Sequence, residues 1–262
     1  MATADSTNAS RAPHLPDPKR TQGPYRAFTS DPGWDEAWWW LGIPVITAIF
    51  ILATARLTPD FYLKWVLPEG YGFLELGHFF IPLAAAIIAF RQLFKPFVRA
   101  RPFTFAFLLF AGLACLYIAG EEHSWGQHFF YWNTPSYWAE VNRQAETNLH
   151  NVHEWLNHQP RAVLQIGIFI GGLLVPLAAW FFPIVRRNRW SLFLPAAALV
   201  PTALGWLFFR GVSQLNKSYG HALVQRPSES VETFMYLFLL FYLIVLARRI
   251  NELEAAAHPL PK

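Results

Sequence analysis

The chain alternates between long apolar runs and shorter polar segments. Six runs are close to the length that crosses about 30 Å of hydrocarbon as an α-helix. The runs are Trp38 to Ala55, Tyr71 to Phe90, Phe103 to Gly120, Ala162 to Val185, Trp190 to Phe209 and Val231 to Ala247. Because unpaired backbone groups are costly in lipid, this pattern predicts an all-α fold, a polytopic membrane bundle of six transmembrane helices.

The polar segments divide the chain further. Residues 1–33 lack apolar periodicity, which predicts a disordered cytoplasmic tail. Residues 34–250 form the predicted transmembrane domain, and residues 251–262 a second cytoplasmic tail. Between helices three and four, residues 121–160 are polar and crowded with aromatic side chains, which favours a structured interfacial segment. We call residues 121–160 the cap. Thr134 and Pro135 are a typical helix start within it.

Composition and charge support a membrane protein. Of the residues, 54% are hydrophobic and 15% charged, against about 25% charged in soluble domains. The net charge of +4 comes from short basic clusters between apolar runs, so no nucleic-acid partner is predicted. With the N-terminus inside, the 21 Lys and Arg residues divide fourteen to seven in favour of the cytoplasmic segments. The sequence therefore predicts a bacterial inner (cytoplasmic) membrane protein with both termini in the cytoplasm.

The second half of the cap carries a polar stripe at helical spacing. Glu146, His150 and His153 recur at i, i+4 and i+7, so a helix would present them on one face. Such side chains lie about 5–6 Å apart and can converge on a cation. The alternative is an amphipathic surface helix that shows its polar face to water.

Several other polar residues fall at the same predicted depth. Glu75 and His78 lie near the outer end of helix two, Glu121 and Glu122 close helix three, and Glu232 opens helix six. Charged groups within membrane spans usually face a bundle interior or an aqueous cavity. The alternative is that the residues at helix ends simply lie in the headgroup region.

These observations predict one extracytoplasmic polar site that binds a metal ion. Histidine and carboxylate ligands suit zinc or iron, and Glu-x-x-His on a helix is typical of di-iron bundles. The candidate ligands are Glu75, His78, Glu122, Glu146, His150 and His153.

Two cap motifs carry a family resemblance. Glu121–Gln127 reads EEHSWGQ, and Glu146–Asn151 reads ETNLHN. Together they resemble an uncharacterised family of bacterial multi-pass membrane proteins. The resemblance covers about thirty residues closely and implies a membrane location.

A second similarity is to the alkaline ceramidase-like superfamily of membrane hydrolases. Ser124 and His128 have the spacing of its Ser-x-x-x-His pair, and the similarity implies a zinc site to which Ser124 contributes. The superfamily has seven helices and a His-x-x-x-His pair in the last one. Helix six of this chain has no histidine.

Three functions are compatible with this pattern. The first is a metal-dependent, membrane-embedded hydrolase of a lipid-like substrate, with Glu121 as the base that accepts a proton from metal-bound water. The second is a non-catalytic accessory or scaffold subunit of a respiratory or photosynthetic membrane complex, packed against protein partners and lipids. The third is a transporter, which the lack of an internal repeat disfavours.

Overall fold

The computed structural model describes residues 28–149, 151–182, 185, 190–219 and 223–257, without the side chains of residues 154, 156 and 157. Most of the predicted N-terminal tail, His150, the loop around Arg187 and the last five residues lie outside this part of the chain. Within the described residues there is no strand, and the all-α polytopic bundle is confirmed.

Within the described residues, six long helices, numbered α1 to α6, make up the bundle. They are α1 Trp38–Leu57, α2 Phe73–Gln92, α3 Pro102–Glu122, α4 from Glu154–Ile168 through Phe169–Leu174 to Val175–Phe181, α5 Val200–Tyr219 and α6 Pro227–Ala257. Shorter helical segments are Trp34–Glu36, Pro59–Phe61, Tyr62–Val66, Pro96–Arg99, Ser124–Gly126, Gln127–Phe130, Ser136–Val141 and Ala197–Leu199. Among the described helices, all of the six except α5 are both long and apolar enough to cross a membrane.

The fifth helix begins ten residues later than predicted. The sequence predicts a span from Trp190, but α5 starts at Val200. The guanidinium of Arg249 donates hydrogen bonds to the carbonyls of Ser191 and Leu192, at 3.1 and 3.2 Å. Those carbonyls lie in turns instead of a helical ladder, and Pro195 has no N–H to donate to one.

Different segments of the chain lie at the two ends of the bundle. At one end, Arg249 pairs with Asp31 at 2.6 Å, and Glu254 accepts a hydrogen bond from the backbone N–H of Phe97. The N-terminal segment, the α2–α3 loop and the end of α6 therefore lie together. At the opposite end are the start of α2, the end of α3, the cap and the start of α6.

The core of the bundle is α6, which packs against α2 and α5. Small residues let the helices approach it closely. A Cβ added at Gly205 of α5 would lie 2.2 Å from the ring of Phe234, which is fully buried. The outer faces are apolar and exposed, as at Ile46 and Ile49 of α1, because lipid is as favourable a solvent for them as another helix.

The cap differs from the prediction in its second half. A helix at Ser136–Val141 follows Thr134 and Pro135, as expected. No helix covers the described residues between Asn142 and His153, so Glu146 and His153 do not share a helical stripe. The side-chain oxygen of Asn142 accepts hydrogen bonds from the backbone N–H groups of Gln144 and Glu146, at 2.9 and 3.2 Å. Such local side-chain to backbone bonds compete with the helix.

Candidate metal centre

His78 is the centre of the polar site at the cap end of the bundle. Its ring is fully buried on α2, and Nε2 lies 3.1 Å from the backbone carbonyl of Glu229 and 2.9 Å from Oγ1 of Thr233. A carbonyl can only accept a hydrogen bond, and the Thr233 hydroxyl already donates to the same carbonyl. Nε2 therefore carries the proton, and a neutral His78 has its lone pair on Nδ1.

The Nδ1 lone pair faces carboxylates without a hydrogen-bond partner. Nδ1 is 3.6 Å from Oε2 of Glu122 and 3.9 Å from Oε2 of Glu229, beyond hydrogen-bond distance. A buried acceptor that faces other acceptors is unfavourable unless a proton or a cation lies between them.

Two overlapping sets of side chains could hold such a cation. Glu75, His78 and Glu229 form one, and His78, Glu122 and Glu232 the other, each with ligand atoms within 4.8 Å of one another. His78 has one available lone pair, so the two sets describe alternatives for a single ion. The carbonyl partner at Nε2 is the usual support of a metal-binding histidine, since it fixes the tautomer and the ring.

Helix geometry explains why these residues meet. Glu75 and His78 are three residues apart at the start of α2, and Glu229 and Glu232 are three apart at the start of α6, so each pair shares a helix face. Glu75 and Glu229 lie in first turns, where the helix dipole favours an anion. Glu122 is the last residue of α3.

Two arginines partly balance the carboxylates of this site. Arg161 of α4 pairs with Glu232. Arg226 lies 3.0 Å from Glu229 and 3.9 Å from Glu75, and reaches the exposed Glu69 outside the site. The site thus has four carboxyl groups, those of Glu75, Glu122, Glu229 and Glu232, and two guanidinium groups. Its histidine and carboxylate ligands are of the kind that bind zinc or iron.

The structure does not bring every predicted ligand to His78. Glu146 belongs to a separate group in the cap with Ser124, His128 and Asn148, which we call the cap cluster. His153 is exposed and is the N-cap residue of α4. Its Nδ1 accepts a hydrogen bond from the backbone N–H of Trp155. The sequence predicts both residues as ligands from a helical stripe that the described backbone does not form, and His150 lies outside the described residues.

The cap cluster is closely hydrogen-bonded. Oγ of Ser124 donates to Glu146 at 2.9 Å, and Asn148 donates to both Ser124 and Glu146. His128 lies 3.2 Å from Ser124 and 3.3 Å from Glu146 through the same Nε2. In a nucleophilic triad, the serine and the carboxylate contact opposite ring nitrogens, so this arrangement differs from one.

The pairing of His128 with Glu146 in the cap cluster shifts the pKa values of both side chains. The hydrogen bond to Glu146 raises the pKa of His128 above its ordinary 6.5. Burial alone would raise the pKa of Glu146, but hydrogen bonds from His128, Ser124 and Asn148 lower it below its ordinary 4.5. The two shifts favour the charged forms of both side chains, and the ion pair holds the two halves of the cap together.

Glu121 also connects the cap to the bundle. One oxygen accepts a hydrogen bond from the indole of Trp125 and the other from the backbone N–H of Leu149, both at 2.7 Å. Glu121 is buried, and each of its carboxylate oxygens already accepts a hydrogen bond.

A cavity of about 460 Å³ adjoins the site between α3, α4 and α6. Its volume is within the range of small-molecule pockets, about 300–1,000 Å³. Most of its lining is apolar, including Phe110 and Leu164, and its polar end includes Glu122, Arg161 and Tyr236. The hydroxyl of Tyr236 donates to Glu122 at 2.7 Å.

Glu229 is not among the ligands predicted from the sequence. The predicted sixth helix begins at Val231, whereas α6 begins at Pro227. The signal was present in the sequence, because Pro is favoured at the first helical position and Glu229 and Glu232 have i, i+3 spacing.

Comparison of the chain with protein-family models, with curated proteins and with solved structures gives no match. The family resemblances of the two cap motifs therefore remain predictions.

Proposed function

We propose that the protein is a metal-dependent hydrolase of the bacterial inner membrane that acts on a lipid-like substrate from the extracytoplasmic side. The observation that carries this proposal is the unpartnered Nδ1 of His78, which faces carboxylates beside an apolar cavity. A fully buried histidine acceptor that faces carboxylates is unfavourable unless a proton or a cation lies between them, and a bound metal ion would supply that cation. The fourteen-to-seven division of basic residues supports the orientation.

In this proposal the more buried set, Glu75, His78 and Glu229, holds the cation. Three protein ligands with an open position are typical of catalytic sites. Zinc or iron bound there would lower the pKa of a coordinated water toward about 7.

Glu122 is then the proton acceptor, in place of Glu121. It lies at the boundary between His78 and the cavity, whereas the oxygens of Glu121 accept hydrogen bonds from Trp125 and Leu149. Hydrolysis adds water across an ester or amide bond. The hydroxyl goes to the acyl carbon, the bond to the alcohol or amine breaks, and Glu122 passes the remaining proton to that leaving group. Ser124 has no part in this reaction, because it belongs to the cap cluster.

The test is fatty-acid release from a panel of lipid esters and amides by the purified protein, with and without a chelator. Glu122→Gln should reduce turnover at least a hundredfold while the bound metal is kept. The matched control is Glu140→Gln, at an exposed carboxylate of the cap, which should leave turnover unchanged. Release that persists in Glu122→Gln or in the chelated protein would overturn the proposal.

A further inference from the structure

Among the described residues that line the cavity, one is cationic, and it lies at the polar end. Arg161 lies on α4 among apolar lining residues, next to Glu122 and Tyr236. Its side chain is about one-third exposed. An arginine in a membrane helix is costly unless it pairs or meets a polar ligand.

The ion pair with Glu232 accounts for only part of this guanidinium. The contact runs from Nη2 of Arg161 to one oxygen of Glu232, and a guanidinium has five N–H donors. Arginine binds phosphate and carboxylate oxyanions through two parallel hydrogen bonds. Arg161 can therefore keep its contact with Glu232 and bind a second anion at the polar end of the cavity.

We propose that the cavity binds a membrane lipid with one hydrocarbon chain and an oxyanion headgroup. The chain lies between α3, α4 and α6, and Arg161 binds the headgroup. This inference rests on the proposed function, for which it names the substrate class. The geometry supports it: among the described residues that line the apolar cavity, Arg161 is the one cationic group, and its contact with Glu232 through Nη2 leaves other N–H donors for an oxyanion. A headgroup at Arg161 also brings the adjoining part of the lipid to Glu122.

The test measures lipid binding to the full-length protein in neutral detergent by native mass spectrometry. The probes are 1-oleoylglycerol 3-phosphate, the neutral 1-oleoylglycerol with the same chain, and glycerol 3-phosphate without a chain. We expect the phosphate lipid to bind at least tenfold more tightly than the neutral lipid, and glycerol 3-phosphate not to bind. Arg161→Gln should abolish the preference. Arg210→Gln, at an exposed arginine of α5, should keep it.

A second pair of variants tests the cavity itself. Ala114→Phe adds a ring to the cavity wall and should weaken both lipids, whereas Leu113→Phe, on the exposed face of the same helix, should not. Equal binding of the two lipids, loss of the preference in Arg210→Gln, or no effect of Ala114→Phe would overturn the inference. Metal content is measured on the same samples. A protein that contains metal but shows no lipid preference would contradict this inference alone, and a protein without metal would contradict the proposed function.

Discussion

At the scale of single residues, the cap depends on the pairing of His128 with Glu146. The raised pKa of His128 means that its contribution is complete below about pH 6.5 and is lost as pH rises through the raised value. The lowered pKa of Glu146 means that its contribution is present above about pH 4.5 and is lost as pH falls through the lowered value. The pair therefore stabilises the protein most between about pH 4.5 and 6.5.

A double-mutant cycle measures this pairing. We expect His128→Gln and Glu146→Gln to be non-additive by about 1–2 kcal/mol of unfolding free energy at pH 6, because the pair is mostly shielded from water. At pH 9 the coupling should fall toward zero as His128 loses its proton. Unfolding in detergent at both pH values provides the measurement. A coupling that is the same at pH 6 and pH 9 would show that the charge on His128 contributes nothing.

Residues of the His78 site differ in how far the sequence predicts them. Glu75, His78 and Glu122 are predictable, because carboxylates and imidazoles at one depth of a bundle tend to meet. The prediction of Glu146 as a ligand rests on a helical period that the described backbone of the cap does not follow. Its hydrogen bonds with Ser124 and Asn148 depend on contacts more than twenty residues apart or on irregular turns, which periodicity does not reveal.

At the scale of elements, close packing of α5 on α6 depends on Gly205. A Cβ at this position would lie 2.2 Å from the Phe234 ring, whereas a Cβ at Gly211 of the same helix meets nothing within 4 Å. We expect Gly205→Ala to lower the unfolding free energy by about 1–3 kcal/mol through overpacking. Gly211→Ala should be neutral or should raise it by up to about 1 kcal/mol, because Ala favours the helix. Equal effects of the two changes on unfolding in detergent would contradict this packing.

Helix ends are less predictable than helix existence. Hydropathy detects α1 to α4 and α6, because a helix satisfies its own backbone hydrogen bonds within an apolar run. The predicted fifth run, Trp190 to Phe209, covers only the first half of α5. The start of α5 depends on Arg249, far along the chain. Its guanidinium donates hydrogen bonds to the carbonyls of Ser191 and Leu192, which a helix from Trp190 would need for its own ladder. The start of α4 is fixed by its N-cap residue, His153, whose side chain accepts a hydrogen bond from the backbone N–H of Trp155.

At the scale of the whole molecule, the alternating direction of the helices brings the residues of the His78 site to one end of the bundle. The starts of α2, α4 and α6 and the end of α3 lie at one end of the bundle, which fixes the depth of Glu75, Glu122 and Glu232. The sequence predicts how deep each of these residues lies in the bundle, but it does not predict which helices are neighbours. The placement of α6 between α2 and α5 brings Glu229 beside His78 and leaves the cavity beside α3 and α4.

The central claim is that His78 and its carboxylates bind one divalent cation. Elemental analysis of the purified protein, after equilibration with zinc or iron(II) and removal of the excess by gel filtration, tests it most directly. We expect one cation per chain in the wild-type protein and in His158→Gln, at an exposed histidine of α4, and none in His78→Gln. A folded wild-type protein without metal, or a His78→Gln protein that keeps it, would contradict the account.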